Sequence, residues 1–203
     1  GLPDDCIYSI LEDHQNNLWL STNKGISKFN PKTEVFVNFS DKDGIQDNEF
    51  NGGAYFKSAN TGQLYFGGIN GITTFFTETI KQNTFIPPIH ITSFTVLNEE
   101  FGNNRIQNNS ELILSYKDYM FSFEFVALDF TNPSKNRYAY KLEGFNDDWI
   151  HTDWSKRIAT FTNIPPGRYK FKVKGSNNHG IWNEQGISVF VVIKPPFWQT
   201  WWF

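Results

Sequence analysis

The sequence predicts an all-β chain in two parts, and three observations carry that expectation. Aromatic residues make up 18% of the 203 residues, and flat rings suit the pleated, half-buried surfaces of sheets. No stretch of useful length repeats its apolar residues at the helical period of 3.6. The rhythm of strand-like runs and turn residues also changes at Pro87-Pro88, a pair that disfavours helix and stiffens the chain. The expected parts are residues 1–84, 85–194 and a short tail, 195–203.

The first part contains one pattern twice. GLPDDCIYSILEDHQNNLWLSTNKGISKFNP begins at Gly1, and GIQDNEFNGGAYFKSANTGQLYFGGINGITTF begins at Gly44. Gly1, Leu2 and Asp4 match Gly44, Ile45 and Asp47, while Leu18-Trp19-Leu20 matches Leu64-Tyr65-Phe66. Gly25-Ile26 and Phe29 match Gly71-Ile72 and Phe75. In each copy a short strand, a tight turn (HQNN, then Asn60-Thr61-Gly62) and a second apolar strand succeed one another. Gly25 and Gly71 break the chain before a third strand. A repeat of ~43 to 46 residues is the size of a β-propeller blade. Trp19 and Tyr65 then occupy one blade-core position. A blade buries its faces by stacking on its neighbours, and two cannot close a ring. The rest of the ring is expected upstream of residue 1.

The second part is expected to be a seven-stranded sandwich of immunoglobulin or fibronectin type. Its strands are read at 89–96, 111–116, 119–127, 137–142, 157–162, 168–176 and 186–193. Phe121, Phe123 and Phe125 share one face. So do Tyr138, Tyr140 and Leu142, then Tyr169, Phe171 and Val173, then Ile187, Val189, Val191 and Ile193. Arg168, Lys170, Lys172 and Lys174 fall on the opposite face, as a solvated stripe.

Several functions are disfavoured. A net charge of −3 argues against nucleic acid as a partner. Cys6 is the sole cysteine, so no intrachain disulfide forms; its apolar surroundings suggest a small core residue. His14, His90, His151 and His179 lack metal-ligand spacing, and no cofactor motif or nucleophile elbow is present. The carboxylate pairs Asp4-Asp5, Glu99-Glu100 and Asp147-Asp148 are sequence neighbours in expected loops, not a convergent catalytic pair. Asp41 and Asp43 fit a turn. Trp149, Trp154 and Trp182 are expected to pack structurally. No catalytic residue or cofactor is therefore expected, and ligand contacts are not identifiable.

The tail is the strongest physical hint. Lys194-Pro195-Pro196 is an extended strut, and Phe197, Trp198, Trp201, Trp202 and Phe203 follow at once. Tryptophan favours the membrane–water interface, so Trp198, Trp201 and Trp202 are expected there.

These motifs carry a family resemblance. GLPDD…LWLSTNKGISKFNP resembles the two-component regulator propeller repeat. RYAYKLEGFNDDW…IPPGRYKFKVKGSNNHGIWNEQG, with Tyr138, Tyr140 and Tyr169, resembles the three-tyrosine domain that follows such propellers; Phe161 departs from tyrosine. PPFWQTWWF resembles the point where that domain enters a transmembrane helix. The resemblance implies the extracytoplasmic sensor of a Bacteroidetes-type hybrid histidine kinase, on the periplasmic face of a single- or double-pass inner-membrane protein. It also implies an oligosaccharide ligand held by the upstream propeller, a homodimer, and control of polysaccharide-utilisation genes. This portion is not expected to be an enzyme. The alternatives are part of an extracellular carbohydrate-active enzyme, or an adhesin.

Overall fold

A computed structural model describes residues 1–100 and 106–199. The chain forms two compact units, Gly1–Gln82 and Asn83–Phe203.

The first unit holds two antiparallel sheets. Strands β1 (Ile7–Glu12), β2 (Leu18–Thr22), β3 (Gly25–Asn30) and β4 (Val35–Phe39) pair in sequence order. Strands β5 (Phe50–Lys57), β6 (Leu64–Gly68) and β7 (Gly71–Phe75) do the same. The registers repeat: Trp19 lies opposite Leu11 and Lys28, and Tyr65 lies opposite Phe56 and Thr74. Trp19 is fully buried, with its ring 5.7 Å from Phe39 and 4.8 Å from Phe75. It shares a core with Ile26, Phe50, Leu64 and Phe66. Tyr65 is only half-buried, because its face of β6 is open; Phe56 and Ile72 on that face are 61% and 68% exposed.

Turn chemistry fixes each hairpin. In the first, the Asp13 carboxylate accepts the N–H groups of Gln15 and Asn17 while Asn16 adopts a φ of 60°. Gly25 sits at φ 103°, where a side chain would collide with the Phe39 carbonyl. Gly71 repeats the conformation, at φ 125°, with open space around it. Cys6 departs from expectation. It is exposed, not in the core. It precedes an edge strand whose Ile7 and Ile10 are also exposed, so an apolar run was no guide to burial there.

The second unit is a two-sheet sandwich. One sheet has the order β10-β16-β15-β12-β13, from Glu111–Ser115, Trp182–Lys194, Gly167–Ser176, Arg137–Glu143 and Asn146–Asp153. The other runs β14-β11-β8-β9, from Ile158–Thr162, Met120–Ala127, Ile89–Val96 and Glu99–Glu100. The seven expected strands are joined by β9 and β13. Glu99-Glu100 and Asp147-Asp148 therefore lie in strands, not loops. Strand β13 (NDDWIHTD) is an edge strand with no buried residue, so the period-two apolar signal had nothing to mark.

The facing sheets bury alternate residues. Phe121, Phe123 and Phe125 of β11 meet Phe171 and Val173 of β15, all at most 1% exposed. The Phe123 and Phe171 rings stack at 4.1 Å and 5°. Each such ring contributes about 1.5–3 kcal/mol by burial, and an aromatic pair adds about 0.5–1.5 kcal/mol. The inner faces of β11, β12, β15 and β16 follow the alternation of the sequence.

Candidate functional site

The three tyrosines organise the sandwich core. Tyr138 is 2% exposed, and its hydroxyl accepts the Ala127 N–H at 3.3 Å. Tyr169 donates its hydroxyl to the Pro165 carbonyl at 2.9 Å, fixing the turn before β15. Tyr140 is half-buried against Phe125, Phe161 and Phe171, and burial raises its phenol pKa. Phe161 takes part in the same ring cluster, so the missing hydroxyl leaves the packing whole.

The basic stripe is an interlocked outer face. Lys172 and Lys141 both reach Glu143 at 2.8 Å, and Lys174 reaches Glu184 at 2.7 Å. Hydrogen bonds from Lys141 and then Lys172 hold the Glu143 carboxyl below its usual range. Trp149 and Trp182 lie on this outer face rather than in the core. Lys174 sits over both rings, and Lys141 over Trp149. Arg168 and Lys170 cover Phe190 in the same manner. Cations packed on ring faces cover apolar area while keeping their heads in water. Trp154 is 47% exposed in the turn after β13.

Reactive constellations do not assemble among the described residues. No group of three His, Cys, Asp or Glu converges on a metal position. Asp4 accepts the Cys6 N–H and pairs with Lys24, while Asp41 and Asp43 bind Asn48 and Ser40 around a 3-10 turn. Asp147 accepts the Gly144 N–H. Asp4, Asp41, Asp43 and Asp147 thus brace local turns. Among the described residues no helix is long and apolar enough to cross a membrane.

Two polar features escaped sequence reasoning. Asp13 is 5% exposed and accepts the Trp19 indole N–H at 2.9 Å and the Asn17 amide at 2.9 Å. Burial pushes its carboxyl up, but bonds from Trp19, Asn17 and Gln15 bring it below the ordinary value. In the second hairpin Ser58 and Gln63 take the places of Asp13 and Asn17, and the Tyr65 hydroxyl donates to Gln63 instead. The other feature gathers Asn83, Asp129, Asn177 and Asn178 at the head of the sandwich. Asp129 is 4% exposed and Asn177 fully buried. The Asn83 amide reaches the Asp129 carboxylate at 3.3 Å and Asn178 at 2.8 Å. The one sequence-level signal was the density of asparagine at 177, 178 and 183.

At the opposite end, β16 leads into Pro195-Pro196 and a 3-10 turn, Phe197–Gln199. Trp198 is 48% exposed and meets the Tyr116 ring edge-on at 5.4 Å. Phe197 and Tyr119 are 67% and 59% exposed. Trp201 and Trp202 lie outside the described residues.

Comparison with known proteins matches these two architectures. The model named two component regulator propeller covers residues 1–24, and that of the Y_Y_Y domain covers residues 129–194, which include Tyr138, Tyr140 and Tyr169. Histidine kinase P4 of Formosa agariphila is 33% identical over 210 residues, covering all of this chain and 15% of that protein. The extracellular domain of a putative hybrid two component system of B. thetaiotaomicron superposes with a TM-score of 0.81 at 32% identity. The match covers 96% of this chain and 27% of that one. A second such extracellular domain from the same organism, 20% identical with a TM-score of 0.53 over 95% of this chain and 26% of that one, shares the fold. The chain thus spans a small part of each relative's length. With a propeller-repeat match followed by a Y_Y_Y match, it is similar over nearly its whole length to the extracellular domain of a putative hybrid two component system and to one segment of a histidine kinase.

Proposed function

We propose that this chain transmits a ligand signal from an upstream propeller ring to a membrane-spanning segment, within a homodimeric histidine kinase that responds to an oligosaccharide and controls genes for polysaccharide use. The observation that carries this reading is the course of β16. It runs without a break from Trp182, at the asparagine-rich head of the sandwich, to Lys194 and the exposed aromatic end at Phe197 and Trp198. Tyr116, Tyr119 and Trp198 have the amphipathic rings that favour a membrane interface, and Lys117 and Lys194 suit anionic head groups. Residues 195–203 are then the approach to the bilayer, with this unit on its periplasmic side. No catalytic step is assigned to these residues.

A ligand shifts such a receptor only through different affinities for its two states. The test is a full-length receptor in lipid vesicles, treated in turn with pools of short neutral, carboxylated and sulfated oligosaccharides. Autophosphorylation and disulfide cross-linking between cysteines introduced at Lys194 of the two subunits are measured together. One pool is expected to bind and change both. If a bound pool leaves both unchanged, transmission through this chain is refuted; if no pool binds, the oligosaccharide assignment is refuted.

A further inference from the structure

Two asparagines at the head of the sandwich use both ends of their amides for different jobs. The Asn177 Oδ1 accepts the N–H groups of His179 and Ile181, both at 2.9 Å, and so holds its own turn between β15 and β16. Its Nδ2 donates to the carbonyls of Asn83 and Phe85, both at 2.8 Å. Asn183 repeats the division: Oδ1 accepts the Gly186 N–H at 3.1 Å, and Nδ2 donates to the Pro87 carbonyl at 2.9 Å. The Asn83 N–H returns a bond to His179 Nδ1 at 2.6 Å. Carbonyls 83, 85 and 87 alternate along the chain, as one edge of an extended strand does. Pro87 and Pro88 have no N–H for a ladder, and two side-chain amides replace the missing partner strand. Asn177 is fully buried, so its amide has no water to fall back on.

We infer that Asn177 and Asn183 are positioning residues that graft segment 83–87 onto the start of β16, so that a displacement delivered at Asn83 reaches β16 with no free hinge between them. This rests on the transmission reading above but concerns the stiffness of the joint, which is measurable without any ligand.

The variants Asn177→Asp and Asn183→Asp separate the two jobs. Each carboxylate keeps an acceptor for the turn and turns an anionic oxygen on the linker carbonyls. Hydrogen exchange on the whole 203-residue chain reads the Asn83 and Phe85 amides. They are expected to exchange about tenfold or more faster in either variant, while the Phe123 and Phe171 amides stay protected. Nitroxides at Thr84→Cys and Lys156→Cys, with Cys6→Ser, then report the spread of distances between the segment and the sandwich. That spread is expected to widen about twofold in the variants, which loss of a local turn bond would not cause. Unprotected Asn83 and Phe85 amides in the parent chain would overturn the inference. So would an unchanged spread alongside faster linker exchange. Asn183 is only partly buried, so Asn183→Asp keeps the test available if Asn177→Asp does not fold. A receptor that ignores every oligosaccharide pool would defeat the sensor reading while leaving these measurements intact.

Discussion

Replacing Asp13 by Ala removes one carboxylate and strands several donors at once. Trp19 Nε1–H loses its acceptor in a position with no solvent access, and Asn17, 3% exposed, loses the partner of both its side-chain amide and its backbone N–H. The Gln15 N–H belongs to an exposed residue, where water replaces the bond at little cost. A buried polar group left unsatisfied costs about 1–3 kcal/mol. Counting the indole and the Asn17 amide, and allowing for partial relaxation, Asp13→Ala destabilises the first unit by about 2–5 kcal/mol. Typical domains hold only about 5–15 kcal/mol, so the blades should open well before the sandwich. Trp19 is the only tryptophan of residues 1–82, and its indole N–H is a private reporter. Urea unfolding followed by 15N spectra of the indole groups gives the midpoint for this unit alone. The same carboxylate sets an acid dependence. Its folded pKa is lowered, so its stabilisation is complete above the unfolded value, near 3.9, and is lost as pH falls through the lower folded value. Asp13→Asn should flatten that acid limb. A loss below about 0.5 kcal/mol for Asp13→Ala, the range of ordinary surface changes, with an unmoved Trp19 resonance, would refute the reasoning.

Other expectations follow from backbone and core. Gly25→Ala and Gly71→Ala meet the same positive φ, and each incurs about 1–3 kcal/mol of backbone strain. Only Gly25 also faces a backbone oxygen, that of Phe39, so urea midpoints should rank Gly25→Ala clearly below Gly71→Ala. Phe171→Ala empties the centre of the ring cluster and should cost about 3–5 kcal/mol in denaturant titrations, whereas exposed Lys156→Ala should stay within about 0.5 kcal/mol. Because burial raises the Tyr140 phenol, its contribution is whole below the unfolded value near 10 and is lost as pH climbs through the higher folded value. Thermal scans should therefore show Tyr140→Phe to be less sensitive above that pH than the parent chain.

The sequence carried what periodicity can carry. Alternation in MFSFEFVA and RYKFKVK named the inward side chains of β11 and β15, because a one-residue slip would expose every one of them. The repeat from Trp19 to Tyr65 gave the paired registers of the two blade sheets. Edges were opaque, for physical reasons. Strand β13 buries neither face, so no pattern distinguished it from a loop. Cys6 lies beside apolar residues that face solvent on an edge strand. Trp149 and Trp182 are half-covered by lysine stems, a form of burial that hydropathy does not register. The asparagine clasp joins positions 92 to 96 residues apart through hydrogen bonds, and a polar contact of that range leaves no period to read.

The same alternation decides how the sandwich can move. Strand β16 is paired to β15 on one side and, in parallel, to β10 on the other. A slip of one residue along its axis would turn Ile187, Val189, Val191 and Ile193 outward and bring Ser188 and Phe190 inward. Four side chains, each contributing about 1.5–3 kcal/mol by burial, make that slip about as costly as unfolding a typical domain. A bulge at Val173/Gly175 and Gly186 at φ 56° further pin the register at the head of the strand. A one-residue slide of β16 within its sheet is therefore closed to this unit. The transmission proposed above would then move the sandwich as one body, with Pro195-Pro196 leaving it as the continuation of β16.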